Sequence, residues 1–415
     1  MDDLLDEGKT NRYFQECAES LERFGISPEL GFVVENPLQS LPQKFSIWEE
    51  LAKNLKDLIE SATLRDEVNK MPFLHHELLQ SHNELRFAHT CLTAVLHGYV
   101  WMKGEKDIVS TVPRNLAVPV YGISERLGIE PAMRHYTFVL NNWRLLDPNG
   151  KLELNNVKTI INLRAGEDES WFFMVGLQME LEAASGLCAI VRAQKAVNEE
   201  ENEVGLLTDC LGIMASSISR VDGALRRIHG LIIFFLLERC RPNVFYNVLR
   251  PYMNGWDCDA FKSNGLKGLI YEGVSTEPKS YSGGSGAQSA ILYAFDSALG
   301  INQPSSGYNM FYQMLCPAHK EFIETIQSGP SIKEYVLKQK CEKLRGRFND
   351  TVKVLQDLRS YHLQIAARYI ILESNRKHRN KAFANQAKAG TGGSDFMNFL
   401  KGIRDCTKDT LLENA

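Results

Sequence analysis

His362 is the residue of this 415-residue chain best placed to do chemistry. Leu355, Leu358, His362, Ile365, Tyr369 and Leu372 recur at intervals of three and four. A helix through 350–372 therefore puts them on one face, and a face so apolar is buried. An imidazole in that stripe must be hydrogen-bonded or must ligate something, because an unsatisfied buried polar group is costly. Two readings stand: a satisfied core histidine, or an axial ligand reaching from a helix to a haem iron. Arg359 precedes His362 by three residues, and Arg250 follows Phe245 by five. An arginine beside an apolar helical face pairs with a carboxylate, which here belongs to the protein, to a substrate or to a haem propionate. Phe172, Phe173, Phe245, Tyr246 and Tyr136 are clustered aromatics that residue type alone assigns to core. The Gly/Ser segments 280–289 and 389–394 are either flexible surface loops or backbone passing close to a flat ligand, where a Cβ would clash. In the second case the Ser285 hydroxyl and the loop amides point at polar atoms of that ligand.

Several other sites are excluded. His75, His82 and His89 lie seven residues apart and would stack on one helical face. Seven residues rise about 10 Å, too far for two imidazoles to share an ion, so a solvated or packing role remains. No GxxxxGK or HExxH occurs, and 283–288 lacks GxGxxG spacing. Ala287 stands where a GxSxG elbow needs its last glycine. The run 244–249 fits a phosphotyrosine-type pattern, but Tyr246 sits among apolar residues and is expected to be buried.

The chain is 44% hydrophobic and 24% charged, as an ordinary globular protein is. Its formal charge of −4 argues against nucleic-acid binding. Nine scattered cysteines without a CxxC pair read as reduced thiols. The acidic N-terminus has no apolar signal core. The longest apolar run, 231–237, is far short of the roughly 20 residues a membrane helix needs. A cytoplasmic protein without membrane contact is the expectation.

The elements that must position these residues are helical. Trp48, Leu51, Leu55 and Leu58 have helical spacing, as do Leu78, Leu79, Leu85, Leu92 and Leu96, and 172–200 and 204–238 continue the pattern. Ser331 with Glu334 three residues on marks a helix start. A short strand pair is expected within 151–164. Prolines 113 and 119 make 111–122 an extended connector. This divides the chain into a small helical domain, 1–160, containing the connector, and a large helical domain, 161–415, with a mobile loop at 375–394.

With these residues in view the chain resembles the indoleamine 2,3-dioxygenases over nearly its whole length. The resemblance is carried by Leu41-Pro with Phe45 and Trp48-Glu49, by Gly98-Tyr-Val-Trp101, Pro113-Arg-Asn-Leu-Ala-Val-Pro119 and Asn142-Trp143. It continues in Leu249-Arg with Tyr252 and Gly255-Trp256, in Tyr271-Glu-Gly273, Gly283-Gly-Ser285, Leu358-Arg-Ser-Tyr-His-Leu-Gln364 and Gly390-Thr-Gly-Gly-Ser-Asp395. It implies an all-α, two-domain monomer with one haem b in the large C-terminal domain, ferrous when active. It implies oxidation of L-tryptophan by O2 to N-formylkynurenine, the first step of the kynurenine pathway, and an electron donor such as a cytochrome b5-type or flavin reductant. By the same resemblance His362 is the proximal iron ligand, and Arg359 and Asp296 belong to the polar network around the haem. Arg250 grips the substrate carboxylate with help from Thr391. Phe172, Tyr136, Phe245 and Tyr246 line the distal pocket around the indole, with Ser285 and Gly284 near the haem. Two departures stand out: Gly176 replaces a distal serine, and 313–319 is shortened and lacks an arginine, which brings local helix packing into question. The alternatives are an oxygen-binding haem protein of the same fold, an inefficient enzyme preferring another indole, and an interaction scaffold, for which only the Tyr246 pattern speaks.

Overall fold

The computed structural model describes residues 17–198, 204–229, 239–376 and 396–413, and most of their regular structure is helical. Three short helices, α1 (Ser46–Lys53), α2 (Leu55–Glu60) and α3 (Leu64–Lys70), pack on α4 (His82–Trp101). Ser81 starts α4 with a capping box: its Oγ accepts the Glu84 N–H (3.1 Å) and the Glu84 carboxylate accepts the Ser81 N–H (3.4 Å). Beyond that cap α4 is buried almost all round, as an apolar helix without a polar face must be. His82 opens the helix and His75 lies before it, so the three spaced histidines do not stack. His89 instead pairs with Thr137 (3.1 Å) and the Glu130 carbonyl (3.3 Å). From the same helix His97 Nδ1–H donates to the Tyr252 carbonyl (2.7 Å) and Trp101 Nε1–H to that of Asn254 (3.1 Å). These bonds tie α4 to the segment that carries Arg250, and one apolar core runs from Cys17 to Tyr369.

The expected connector is a helix. Only β1 (Thr111–Val112) is extended, pairing in parallel with Ile270–Tyr271. α5 (Arg114–Leu127) follows with Pro119 inside it. Pro113 precedes the first turn, where its missing N–H costs nothing. Burial of Leu116, Val120 and Ile123 on one face outweighs the one helical bond that Pro119 lacks. Gly128, at φ 66°, closes the helix. A one-turn helix, α6 (His135–Phe138), comes next. The small sheet forms between β2 (Arg144–Leu145) and β3 (Val157–Lys158). Residues 157–158 are thus strand as expected, but 151–154 is not, and Leu154 opens a 3-10 turn.

α7 (Glu167–Asn198) and α8 (Val204–Arg226) form the most extensive helix pair. Both are long and apolar enough to cross a membrane by composition, which the run 231–237 did not anticipate. In this structure half or more of each apolar stretch is buried inside the protein. After α9 (Arg250–Met253) and β4 (Ile270–Tyr271) come α10 (Ala290–Ala298), α11 (Ser306–Gln313), α12 (Pro317–Ser328) and α13 (Ile332–Lys338). Ser331 Oγ caps α13 by accepting the Glu334 N–H (3.3 Å), as the spacing predicts. In the shortened 313–319 region Leu315, Cys316 and His319 are buried, and the His319 ring lies tilted against Phe32 at 4.4 Å. Finally α14 (Glu342–Ala366) packs across α8, and α15 (Phe396–Lys408) packs on α14.

Candidate functional site

α14 carries His362 to a largely apolar cavity. Leu355 and Leu358 are buried on its inner face, and His362, Ile365 and Ala366 line the cavity one and two turns further on. At Ala367 the helix widens into a π-helical segment, Ala367–Leu372. Tyr369 stays buried there, but the extra residue per turn rotates Leu372 out to 59% exposure. Four of the six stripe residues are therefore buried, His362 is half-buried where it lines the cavity, and Leu372 turns away. A second π-helical segment, Phe245–Leu249, leads into α9 and Arg250. The two π segments touch, with the Phe245 and Tyr369 rings edge-on at 5.6 Å. Single π turns recur at functional sites because they re-aim the side chains that follow.

Burial and the nearby Arg359 charge hold the His362 pKa below its ordinary value. The imidazole is then neutral, which is the form that ligates a metal. Among the described residues no group of three or more His, Cys, Asp or Glu could hold a bare ion. One imidazole is sufficient for an iron already held by a macrocycle, so the donor set suits haem. Arg359, 3% exposed, lines the cavity beside it. Its Nη2 donates to both Asp296 oxygens (2.8 and 2.7 Å) and its Nη1 to Thr407 Oγ1. Tyr308 O–H donates to Asp296 Oδ2 (2.9 Å). Asp296 does not reach the cavity; it holds Arg359 there. Arg359 Nε is buried with no hydrogen-bond partner, a donor that an anionic edge such as a propionate would satisfy.

Arg250, 1% exposed, also lines the cavity, its guanidinium 5.6 Å from the Tyr246 ring centroid. Burial lowers its pKa, yet a guanidinium starts so high that it keeps its charge. The cavity wall therefore holds a cation suited to a ligand carboxylate. Tyr246 itself is buried, which removes the phosphotyrosine reading.

The aromatic residues form a row along the cavity: Phe245 to Phe172 at 4.9 Å, Phe172 to Phe173 at 5.4 Å, and Phe173 to Phe138 at 5.8 Å. Tyr136 is a correction. Its Oη accepts from Arg86 Nε (2.7 Å) and pairs with His82 Nε2 (2.9 Å), and the residue is absent from the cavity lining. Its neighbour His135 takes that place on the wall. α6 is a single turn in which consecutive side chains point about 100° apart, so a shift of one residue changes the face.

The glycine segment is also only partly what its composition suggests. Ser285 and Gly284 line the cavity. A Cβ on Gly284 would meet Met133 Sδ at 2.9 Å, and one on Gly283 would meet the Met253 carbonyl oxygen at 2.0 Å. Gly283 is needed because the loop lies against the backbone that leads from Arg250, and Trp256 N–H donates to the Tyr281 carbonyl there (2.7 Å). Ser285 Oγ caps its own turn through the Ala287 N–H (3.2 Å). Gly176 lines the cavity, and a Cβ there would meet Val139 Cγ1 at 3.3 Å. Thr391 and Gly390–Gly393 lie outside the described residues.

The cavity also holds His135 and Glu180, which the sequence reading passed over. The available signal was helical spacing: Phe172, Gly176 and Glu180 follow one another at intervals of four.

Comparison with known proteins finds relatives over nearly the whole chain. The family model for indoleamine 2,3-dioxygenase matches residues 20–410. The chain is 37% identical over 403 residues to indoleamine 2,3-dioxygenase 2 of Mus musculus, covering 95% of this chain and 96% of that one. It is 35% identical to indoleamine 2,3-dioxygenase 1 of Rattus norvegicus, covering 94% and 96%. It is also 30% identical to a myoglobin of Haliotis diversicolor, covering 94% and 98%. The chain belongs to the indoleamine 2,3-dioxygenase family.

Proposed function

We propose that this chain is a haem-dependent dioxygenase that opens the indole 2,3-bond of L-tryptophan with O2 to give N-formylkynurenine. The observation that carries this reading is one apolar cavity lined by both a neutral helix-borne imidazole, His362, and a buried guanidinium, Arg250. Haem, when bound, supplies the iron that activates O2. The protein's part is placement and exclusion of water. His362 would ligate the haem iron, and Arg359, held by Asp296, would offer its spare N–H to an anionic edge of the cofactor. Arg250 takes the amino-acid carboxylate, with Thr391 assisting as the resemblance implies. Phe172 and Phe245 pack on the ring and keep the site dry. One ferrous haem b per monomer, carried within 161–415, and a cytoplasmic flavin or cytochrome b5-type donor complete the proposal.

A second reading has an observation in its favour: a relative of similar length is named a myoglobin. An oxygen carrier has no carboxylate to hold, so the buried Arg250 favours the enzyme. Turnover of L-tryptophan by haem-loaded, reduced protein separates the two.

A further inference from the structure

The aromatic row has a polar group at each end. At one end Phe245 adjoins the segment that carries Arg250. At the other end Phe138 closes the turn that His135 opens. His135 Nε2 lies 2.8 Å from Glu180 Oε1, and Ser289 Oγ donates to the same oxygen at 2.6 Å. All three residues line the cavity. Glu180 is 1% exposed, and its second oxygen, Oε2, is buried without a hydrogen-bond partner. The His135 backbone N–H donates to Gln288 Oε1 (3.2 Å), and Gln288 Nε2 donates to the Gly283 carbonyl (2.9 Å), so the imidazole stands on a braced turn. Glu180 Oε1 is an acceptor in both contacts, so Nε2–H is the donor of the 2.8 Å contact. The other ring nitrogen, Nδ1, makes no hydrogen bond among the described residues. No role in the proposed chemistry uses this group. A built, polar, buried cluster in an apolar wall is costly unless a ligand completes it.

We infer that His135, positioned by Glu180 and Ser289, is a specificity-determining residue that recognises a hydroxyl on the benzo ring of an indole amino acid. The inference rests on the proposed function: Arg250 holds the carboxylate and the indole lies in the same cavity, which His135 also lines. A hydroxyl is the group that suits both states of the imidazole: it donates to a neutral Nδ1 and accepts from a protonated one. A methyl group of similar size does neither and leaves the nitrogen unpaired, and a site built for a hydroxyl discriminates against an analogue that lacks it. Glu180 touches no ligand in this account; it fixes the ring orientation of His135.

The test is calorimetric titration of ferric, catalytically silent holoprotein with L-tryptophan, its 5- and 6-hydroxy derivatives and the matching 5- and 6-methyl derivatives. The wild-type protein should bind one hydroxy compound at least about tenfold more tightly than its methyl counterpart, the ratio one good hydrogen bond gives. His135→Phe should bring that ratio close to one, and Glu180→Gln should lower it in part. Equal wild-type affinities, or a ratio unchanged in His135→Phe, would overturn the assignment while leaving the tryptophan reading intact. Failure of all five compounds to bind would overturn both. The wild-type ratio decides the matter by itself if either variant does not fold.

Discussion

At the residue scale the account depends on two side chains with separable jobs. His362→Ala should abolish haem retention, read as loss of the Soret band after purification. A full Soret band in that variant removes His362 as sole proximal ligand. Arg250→Ala should keep its haem and raise the Michaelis constant for L-tryptophan on the order of 10- to 100-fold, since a charge-assisted hydrogen bond contributes about 1.5–3 kcal/mol. An unchanged constant removes it from the substrate site. Both stand out as candidates in the sequence, because an imidazole and a guanidinium beside apolar helical faces have few ways to be satisfied, and both line the cavity. Asp296 was legible only through family resemblance: its pairing with Arg359 spans 63 positions, and no local pattern announces it. Tyr136 was misread for a different reason. In a single helical turn, periodicity has too few residues to say which one faces the cavity, and His135 does.

At the scale of elements, the helices followed from apolar spacing, and the details that shape the site did not. The two π segments are one-residue departures from a 3.6-residue repeat, invisible in a pattern of hydrophobic positions, yet they bring Phe245 and Tyr369 together and turn Leu372 outward. Pro119 suggested an extended chain because a local rule was applied without the burial that overrides it. The glycines of 283–286 show how structure assigns their separate reasons. Gly283→Ala forces a Cβ to 2.0 Å from the Met253 carbonyl oxygen. The backbone beside Arg250 must then move, at a cost of roughly 1–3 kcal/mol and a fall of several degrees in Tm. Gly286 has nothing within 4 Å of its added Cβ, so Gly286→Ala should shift Tm by no more than about 1 °C. Thermal unfolding of the two variants side by side checks this, and equal Tm values would remove the close backbone approach as the reason for Gly283.

At the scale of the whole molecule, buried histidines tie stability to pH. Burial pushes His89, His97 and His319 down to about 3. His97 shows the cause in its bonds: Nδ1–H donates to Tyr252 while Nε2 accepts the Met133 N–H (3.0 Å), an arrangement that requires a neutral ring. These pKa values lie below that of an unfolded histidine, so between about pH 6.5 and 3 the unfolded chain binds protons that the folded one refuses. Stability is then lost as pH falls, by up to about 1.4 kcal/mol per unit for each histidine. Glu169, which burial pushes up to about 7 against three backbone N–H donors, acts in the opposite sense but is a single group. Urea unfolding should therefore show a lower midpoint at pH 5.5 than at pH 7.5, and an equal or higher one at pH 5.5 would contradict the buried neutral histidines.

The central claim is that His362 and Arg250 serve one reaction in one cavity. The direct measurement is to supply the reduced, haem-loaded protein with L-tryptophan and O2 and to quantify N-formylkynurenine by mass spectrometry. The account predicts many product molecules per haem. Reversible oxygen binding with no product at saturating tryptophan would contradict it and would place this chain with the oxygen-binding members of its fold.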